Sequence, residues 1–188
     1  MTNGMPEMSQ GVVLAVIDIQ ERLVAAMPEF EPAAKNAVVK LLKCAGVLKL
    51  ETLVTEQYPQ GLGPTIPDVA AALPAGAKTF SKTAFSCFGS AEFAAAVDAT
   101  RPAFLLLAGM ETHVCVQQTA LDALARGIQP VLLADAVTSR KTSDRETALR
   151  LLRHAGVTVT TVEAAVFHLL RDAKAPGFKE ISRIFREA

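Results

Sequence analysis

Tryptophan is absent from this chain of 188 residues, tyrosine occurs once, and aromatic residues make up only 5%. The 51% of residues that are apolar are mainly Ala, Val and Leu, enough at this length for one domain with a substantial core. Net charge is absent too: 19 Lys and Arg balance 19 Asp and Glu, so no overall field draws the protein to nucleic acid or anionic lipid. Apolar runs such as AFLLLAGM fall far short of a bilayer span, and the opening MTNGMPEMSQ lacks the basic-then-apolar layout of a signal peptide. Three cysteines without paired spacing argue against a disulfide framework and for a reducing compartment. There is no GxSxG elbow, P-loop, complete GxGxxG, HExxH or CxxC, and no convincing metal-ligand spacing. These absences leave a cytoplasmic globular domain, residues 1–188, with no nucleic-acid, membrane or cofactor partner in view.

What is present is an alternation. VVLAVID, residues 12–18, is a continuous apolar run ending in an acid, as a buried parallel strand does. ETLVTEQ, AKTFSK, AFLLLAG, QPVLLAD and VTVTTVE supply further strands. Between them Pro32–Leu50 reads as an amphipathic helix with Val38, Leu41, Leu42, Ala45 and Leu48 on one face. Ala91–Ala99, His113–Arg126 and Asp144–His154 are also helical, and Gly127 and Gly156 stand where helix ends favour a left-handed residue. The alternation implies right-handed crossovers and a parallel α/β sheet covered on both faces. YPQGLGPTIPD, residues 58–68, is too rich in Gly and Pro to read as an element and is a candidate pocket wall.

Open α/β sheets bind ligands beyond the carboxyl ends of their strands, which singles out Asp18, Gln57, Lys82, Gly109–Cys115 and Asp135. With Thr112 as N-cap, Cys115 is the third helical residue, near the positive end of the dipole and unpaired N–H groups. A thiolate nucleophile is favoured there; a small buried hydrophobe is the plain alternative. Asp18, after six apolar residues, is either a base for that thiol or the N-cap of the next helix. Lys82 is either a partner for Asp18, able to stabilise a thiolate or oxyanion, or a solvated strand-end lysine. Acid, cation and thiol converge on one edge of the sheet, which suits addition to a carbonyl or imine-like carbon. Lys78 belongs at the strand's other end, Cys44 reads as packing, Cys87 has no evident activator, and His113 is spaced so as to turn away from Cys115.

VLAVIDIQERLV, TFSKTAFSCF and LLLAGMETHVCVQQTALDALARGIQPVLLADAVTSR resemble, in order, three motifs of the isochorismatase-like cysteine hydrolase family. TEQYPQGLGPT, DRETALRLLRHAGVTVTTVEAAVFHLL and FKEI are most similar to its isochorismatase domain-containing protein 2 subgroup. The resemblance implies a three-layer, Rossmann-like fold with a six-stranded parallel sheet flanked by helices. It implies an Asp-Lys-Cys triad that falls on Asp18, Lys82 and Cys115. It also implies a non-proline cis peptide, placed between Met110 and Glu111, that turns the N–H groups of Glu111 and Cys115 toward one oxyanion. Nicotinamidases in the family bind a metal through an Asp-x-His pair and a further His after the second strand. TEQYPQGLG has no histidine, so a site without metal or cofactor is expected. Family members that cleave a vinyl ether lack the cysteine kept here. Hydrolysis of an amide-like C–N bond of a small molecule remains, through a thioester on Cys115. Gln57, Tyr58, Phe85 and Phe88 are expected around the substrate, and a homo-oligomer is expected.

Two other classes compete. A peroxide-responsive thiol needs a resolving cysteine near Cys115, which the sequence does not place there. A non-catalytic oligomeric scaffold would use Phe178, Ile181, Ile184 and Phe185, a helical stripe that packs against the body or a neighbouring subunit.

Overall fold

A computed structural model of the chain describes residues 5, 11–27 and 30–187. The opening decapeptide, read above for a signal layout, lies outside the described residues save for Met5. The first half runs β1 (Val12–Ile17), α1 (Glu21–Val24), α2 (Lys35–Leu48), β2 (Glu51–Gln57), α3 (Pro59–Leu62), α4 (Pro67–Ala72) and β3 (Lys78–Lys82). The second half runs α5 (Ala91–Thr100), β4 (Phe104–Met110), α6 (Gln117–Ala125), β5 (Gln129–Thr138), α7 (Thr142–His154), β6 (Thr158–Thr160), α8 (Val162–Leu170) and α9 (Phe178–Arg186). No described helix is long and apolar enough to cross a membrane.

Along β1, Val12, Leu14 and Val16 face one layer while Val13, Ala15 and Ile17 face the other, because successive side chains of a strand point to opposite faces. On the first side α2, α4, α8 and α9 bring Leu41, Val69, Val166 and Ile181 against the sheet. On the second, α5, α6 and α7 bring Phe93, Ala120 and Leu152. Strands buried on both faces must be apolar throughout, which is why VVLAVI and FLLLAGM show no alternation.

The sheet is parallel in the order β3-β2-β1-β4-β5-β6. The chain steps outward from β1 to β3 with α2 and α4 on one face. It then returns past its start to β4 and continues to β6 with α5, α6 and α7 on the other. Right-handed crossovers require that change of face when the direction reverses. The reversal lies between β1 and β4, where open sheets bind ligands at their carboxyl ends. At that point Gly109 takes φ +118, and a Cβ there would collide with the Ile17 carbonyl of β1. Glycine alone lets the two backbones keep this approach.

Several boundaries differ from the sequence expectation. The stretch 58–68 is not irregular throughout: it holds α3 and the start of α4, each with proline in its first turn, a position proline suits because its missing N–H would have had no partner. A π-helical turn, Phe30–Ala34, precedes α2. VTVTTVE supplies only a short β6, since Thr161 caps α8 by accepting the Ala164 N–H. Gly127 and Gly156 take φ +75 and +97, as helix ends require. The α9 stripe packs inward: Ile181 and Ile184 are buried, and the rings of Phe178 and Phe185 lie 6.2 and 5.7 Å from that of Phe167.

Candidate active site at the β1–β4 reversal

Asp18 follows directly on the buried run of β1 and takes a left-handed backbone, φ 54, a conformation short polar side chains tolerate better than most. Its N–H donates to the Thr55 carbonyl of β2 at 3.0 Å. The carboxylate is fully buried and does not cap α1, whose N-cap position is taken by Gln20. Instead Oδ2 accepts from Lys82 Nζ at 2.6 Å and Oδ1 accepts from Thr55 Oγ1 at 2.8 Å.

Lys82 ends β3, paired in register with Gln57 of β2. Besides Asp18, its ammonium reaches Gln57 Oε1 at 2.6 Å and the carbonyls of Phe85 and Ala84 at 3.1 and 3.3 Å. Three N–H donors thus face four protein oxygens, so the ammonium has no donor to spare for a substrate oxyanion. Burial disfavours its charge, but Asp18 first, then Cys87 and Cys115, outweigh burial and push Lys82 above the ordinary lysine range. Gln57 is oriented by donating Nε2 to the Thr83 carbonyl at 2.7 Å. Gln20, also buried, accepts the Gln57 N–H at 2.7 Å and donates to the Gln57 and Gly63 carbonyls at 3.0 and 2.6 Å.

Cys115 comes from the far side of the reversal. The Met110–Glu111 peptide is cis, and a π-helical turn, Thr112–Val116, leads into α6. Glu111 rather than Thr112 takes the N-cap position, so Cys115 is the fourth residue of the turn and not the third. The Thr112 hydroxyl donates to the Thr138 carbonyl at 3.0 Å. The next ties follow the same pattern: the Glu111 carboxylate accepts the Arg140 N–H and Nε at 3.1 and 3.0 Å, and His113 Nδ1 lies 3.0 Å from Ser139 Oγ. The segment after β5 therefore fixes the turn that carries the thiol.

A helix start favours a thiolate, but here it is overruled. Burial first, then the Asp18 charge, push the Cys115 thiol up to about 12, with Lys82 opposing only in part. The Asp18 charge thus favours the protonated thiol. The resting pair is a neutral thiol against a carboxylate.

The remaining expected residues divide. Tyr58 and Phe85 are the exposed ones, at 55% and 53%. Tyr58 lines a cleft of about 320 Å³ together with Lys82, Thr83 and Ser90. Phe88 is buried, edge-on to Phe93 at 5.6 Å and with the Arg126 guanidinium over its ring at 4.5 Å. Lys78, as expected at the strand entry, pairs with Glu51 at 2.7 Å. Cys44 is buried in α2, its thiol pushed up to about 12 by burial and then by Glu180. Among the described residues no three His, Cys, Asp or Glu gather as a metal site.

Sequence reasoning missed Thr55 and Thr119, and it set Cys87 aside for want of an activator. Cys87 is fully buried behind the site, its Sγ 3.7 Å from Thr55 Oγ1. Its thiol is pushed up to about 11 by burial and by Asp18. Its N–H donates to Thr119 Oγ1 at 3.0 Å, and that hydroxyl donates to the Cys115 carbonyl at 2.7 Å. One signal was available: Thr55 is a polar residue in the buried stretch of β2, and a buried hydroxyl needs a partner.

The sequence profile described as Isochorismatase domain matches residues 12–164. Isochorismatase domain-containing protein 2 of Danio rerio is 38% identical over 176 residues, covering 94% of this chain and 87% of the relative. Among solved structures, one described as MAR1 ribonuclease from Caenorhabditis elegans superposes with a TM-score of 0.91 at 32% identity, over 98% of this chain and 94% of that one. The ycaC gene product of Escherichia coli, described as an octameric hydrolase of unknown specificity, superposes with a TM-score of 0.88 at 26% identity, over 96% and 89% of the two chains.

Proposed function

The chain belongs to the isochorismatase-like hydrolase family, and on that premise we propose that it is a cysteine hydrolase, a single domain over residues 1–188, cleaving an amide-like C–N bond of a small molecule. The observation that carries this reading is the buried Asp18 carboxylate, held by Lys82 and Thr55, whose charge favours the protonated thiol of Cys115. A thiol pushed up to about 12 is a poor nucleophile at neutral pH. It becomes a good one when its proton leaves for a fixed acceptor during the attack.

In this reading Cys115 Sγ bonds to the acyl carbon as its proton passes to Asp18. The N–H groups of Glu111 and Cys115 hold the oxyanion, since backbone donors in a first helical turn lack internal partners. Asp18 returns the proton to the departing nitrogen, the C–N bond breaks, and the acyl group stays on sulfur as a thioester. Water then loses a proton to Asp18, attacks, and releases the acid and the thiol. Lys82, its donors filled, acts as a fixed positive charge that holds Asp18 and does not touch the substrate. Gln57 orients Lys82, the exposed rings of Tyr58 and Phe85 flank the entrance, and Phe88 supports it from behind. The cycle draws on no metal or other cofactor. By analogy with the octameric E. coli relative, the chain acts as a homo-oligomer, in the cytoplasm, with neither nucleic acid nor membrane as partner.

The test is a panel of small primary and secondary amides incubated with wild type and Cys115→Ala, with hydroxylamine added to trap the acyl group as a hydroxamate. Turnover and trapping are expected in the wild type alone; turnover retained by Cys115→Ala overturns the reading. A single-stranded RNA in the same panel covers the activity named for the C. elegans relative. The balanced net charge of this chain offers no attraction to that polyanion.

A second reading, a peroxide-responsive thiol, is favoured by one observation: Cys87 stands beside the Asp18–Cys115 pair. It is opposed by the upward push on both thiols, because oxidation runs through the thiolate. Peroxide titration with mass mapping decides it, a Cys87–Cys115 disulfide at low oxidant being the result in its favour.

A further inference from the structure

Resting on the reading of Asp18 as the base for Cys115, we propose that Thr55 is a positioning residue whose hydroxyl, held from behind by Cys87, keeps the Asp18 carboxylate aimed at the thiol. Thr55 grips residue 18 at two points: its carbonyl accepts the Asp18 N–H at 3.0 Å and its hydroxyl donates to Oδ1 at 2.8 Å. A carboxylate held by Lys82 alone could turn about that single contact. A second donor from a different strand fixes its plane.

The Thr55 hydroxyl hydrogen is committed to Asp18, so the 3.7 Å contact with Cys87 runs from the S–H to Thr55 Oγ1. The Cys87 backbone is itself tied to the nucleophile's backbone through Thr119. The hydrogen bonds therefore form a chain from Asp18 through Thr55, Cys87 and Thr119 to the Cys115 carbonyl. Every member of that chain is buried. Such a chain ties the base to the nucleophile's backbone without touching the substrate, and small misplacements of catalytic groups are expensive in rate. Lys82 faces Asp18 from the end of β3, Cys115 from the turn after β4, and Cys87 from the loop behind, so these are the charged and titratable groups around the carboxylate.

The experiment is the rate of Cys115 alkylation by iodoacetamide, read on its own peptide by mass spectrometry from mildly acidic to alkaline pH. Wild type, Asp18→Asn, Thr55→Val and Thr55→Ser are compared. Thr55→Val is expected to lower the neutral, Asp18-dependent branch about tenfold, the scale of one hydrogen bond to a charged group. The alkaline branch, driven by hydroxide, should stay at the wild-type level, and Thr55→Ser should restore the neutral branch. A neutral rate unchanged in Thr55→Val overturns the proposal, as does a Thr55→Ser as slow as Thr55→Val or an equal change in both branches. Asp18→Asn separates the two ideas. If it keeps the neutral branch, the base reading fails and Thr55 has nothing to position; if it loses that branch while Thr55→Val keeps it, only the proposal fails. Should Thr55→Val not fold, Cys87→Ala removes just the donor behind the hydroxyl. A smaller fall confined to the neutral branch is then expected, and no fall overturns the proposal.

Discussion

Asp18 Oδ2 and Lys82 Nζ stand 2.6 Å apart with neither side chain exposed to solvent. Two charges so far from water repay their desolvation only through mutual attraction and well-placed hydrogen bonds, so such a pair adds little net stability. What it provides is a carboxylate held in one orientation, and this is the basis of the following expectations.

Removing one partner leaves the other charge stranded. Lys82→Met should lower the unfolding free energy by about 3–5 kcal/mol, as breaking a buried pair does. The charge-neutral double variant Asp18→Asn/Lys82→Met should recover a large part of that loss. Urea unfolding of both proteins checks this, and a single variant within about 1 kcal/mol of wild type would contradict the burial of the pair.

The protonation of Cys115 sets its reactivity profile. With the thiol pushed up to about 12, almost no free thiolate exists at neutral pH. Alkylation should therefore show a flat neutral branch that depends on Asp18 and a steep rise at high pH. A simple titration with its midpoint near the ordinary 9.0 would mean that Asp18 does not govern the thiol. Cys44, sealed in α2, should label only on unfolding.

Stability should fall in alkali before the lysines in general deprotonate. Cys44, Cys87 and Cys115 are raised from 9.0 to about 12, 11 and 12. A group raised in the folded state contributes stability that is complete below its unfolded pKa and is lost as pH rises toward the folded value. The unfolded chain ionises these thiols from about pH 9 while the folded one does not, and Lys82, also raised, adds its loss at still higher pH. Thermal melts should hold level around neutrality and drop progressively above pH 9; melts that stay level into strong alkali would refute the shifts.

Gly109→Ala tests the crevice itself. Its Cβ would meet the Ile17 carbonyl, and φ +118 is foreign to alanine. Neither backbone can move without breaking the β1–β4 register, so the variant should be destabilised by about 3 kcal/mol or more, or fail to fold. A melt close to wild type would show that the two strands can part.

Much of the framework was legible because burial on both faces leaves a plain mark. β2 coincides with ETLVTEQ end to end, and β1 with all but the last residue of VVLAVID, its acid lying just past the strand. The meeting of Asp18 and Lys82 was legible as well, since each stands at the carboxyl end of a strand and parallel strands share one carboxyl edge. The short helices at Pro59 and Pro67 carried a readable signal in their first-turn prolines, obscured by the surrounding glycines.

The sequence by itself determined the strands, their order along the chain and the helices that join most of them, and it pointed to Asp18, Lys82 and Cys115 at the carboxyl edge of the sheet. Only the tertiary structure decided the state of those groups. Local position favours a thiolate at Cys115, yet burial and the neighbouring Asp18 outweigh a helix start and hold it as a thiol. The same holds for the supports: Thr55 meets Asp18 across 37 positions and Cys87 across 32. Such contacts arise from strand register and loop packing, and a one-dimensional pattern carries no local trace of them.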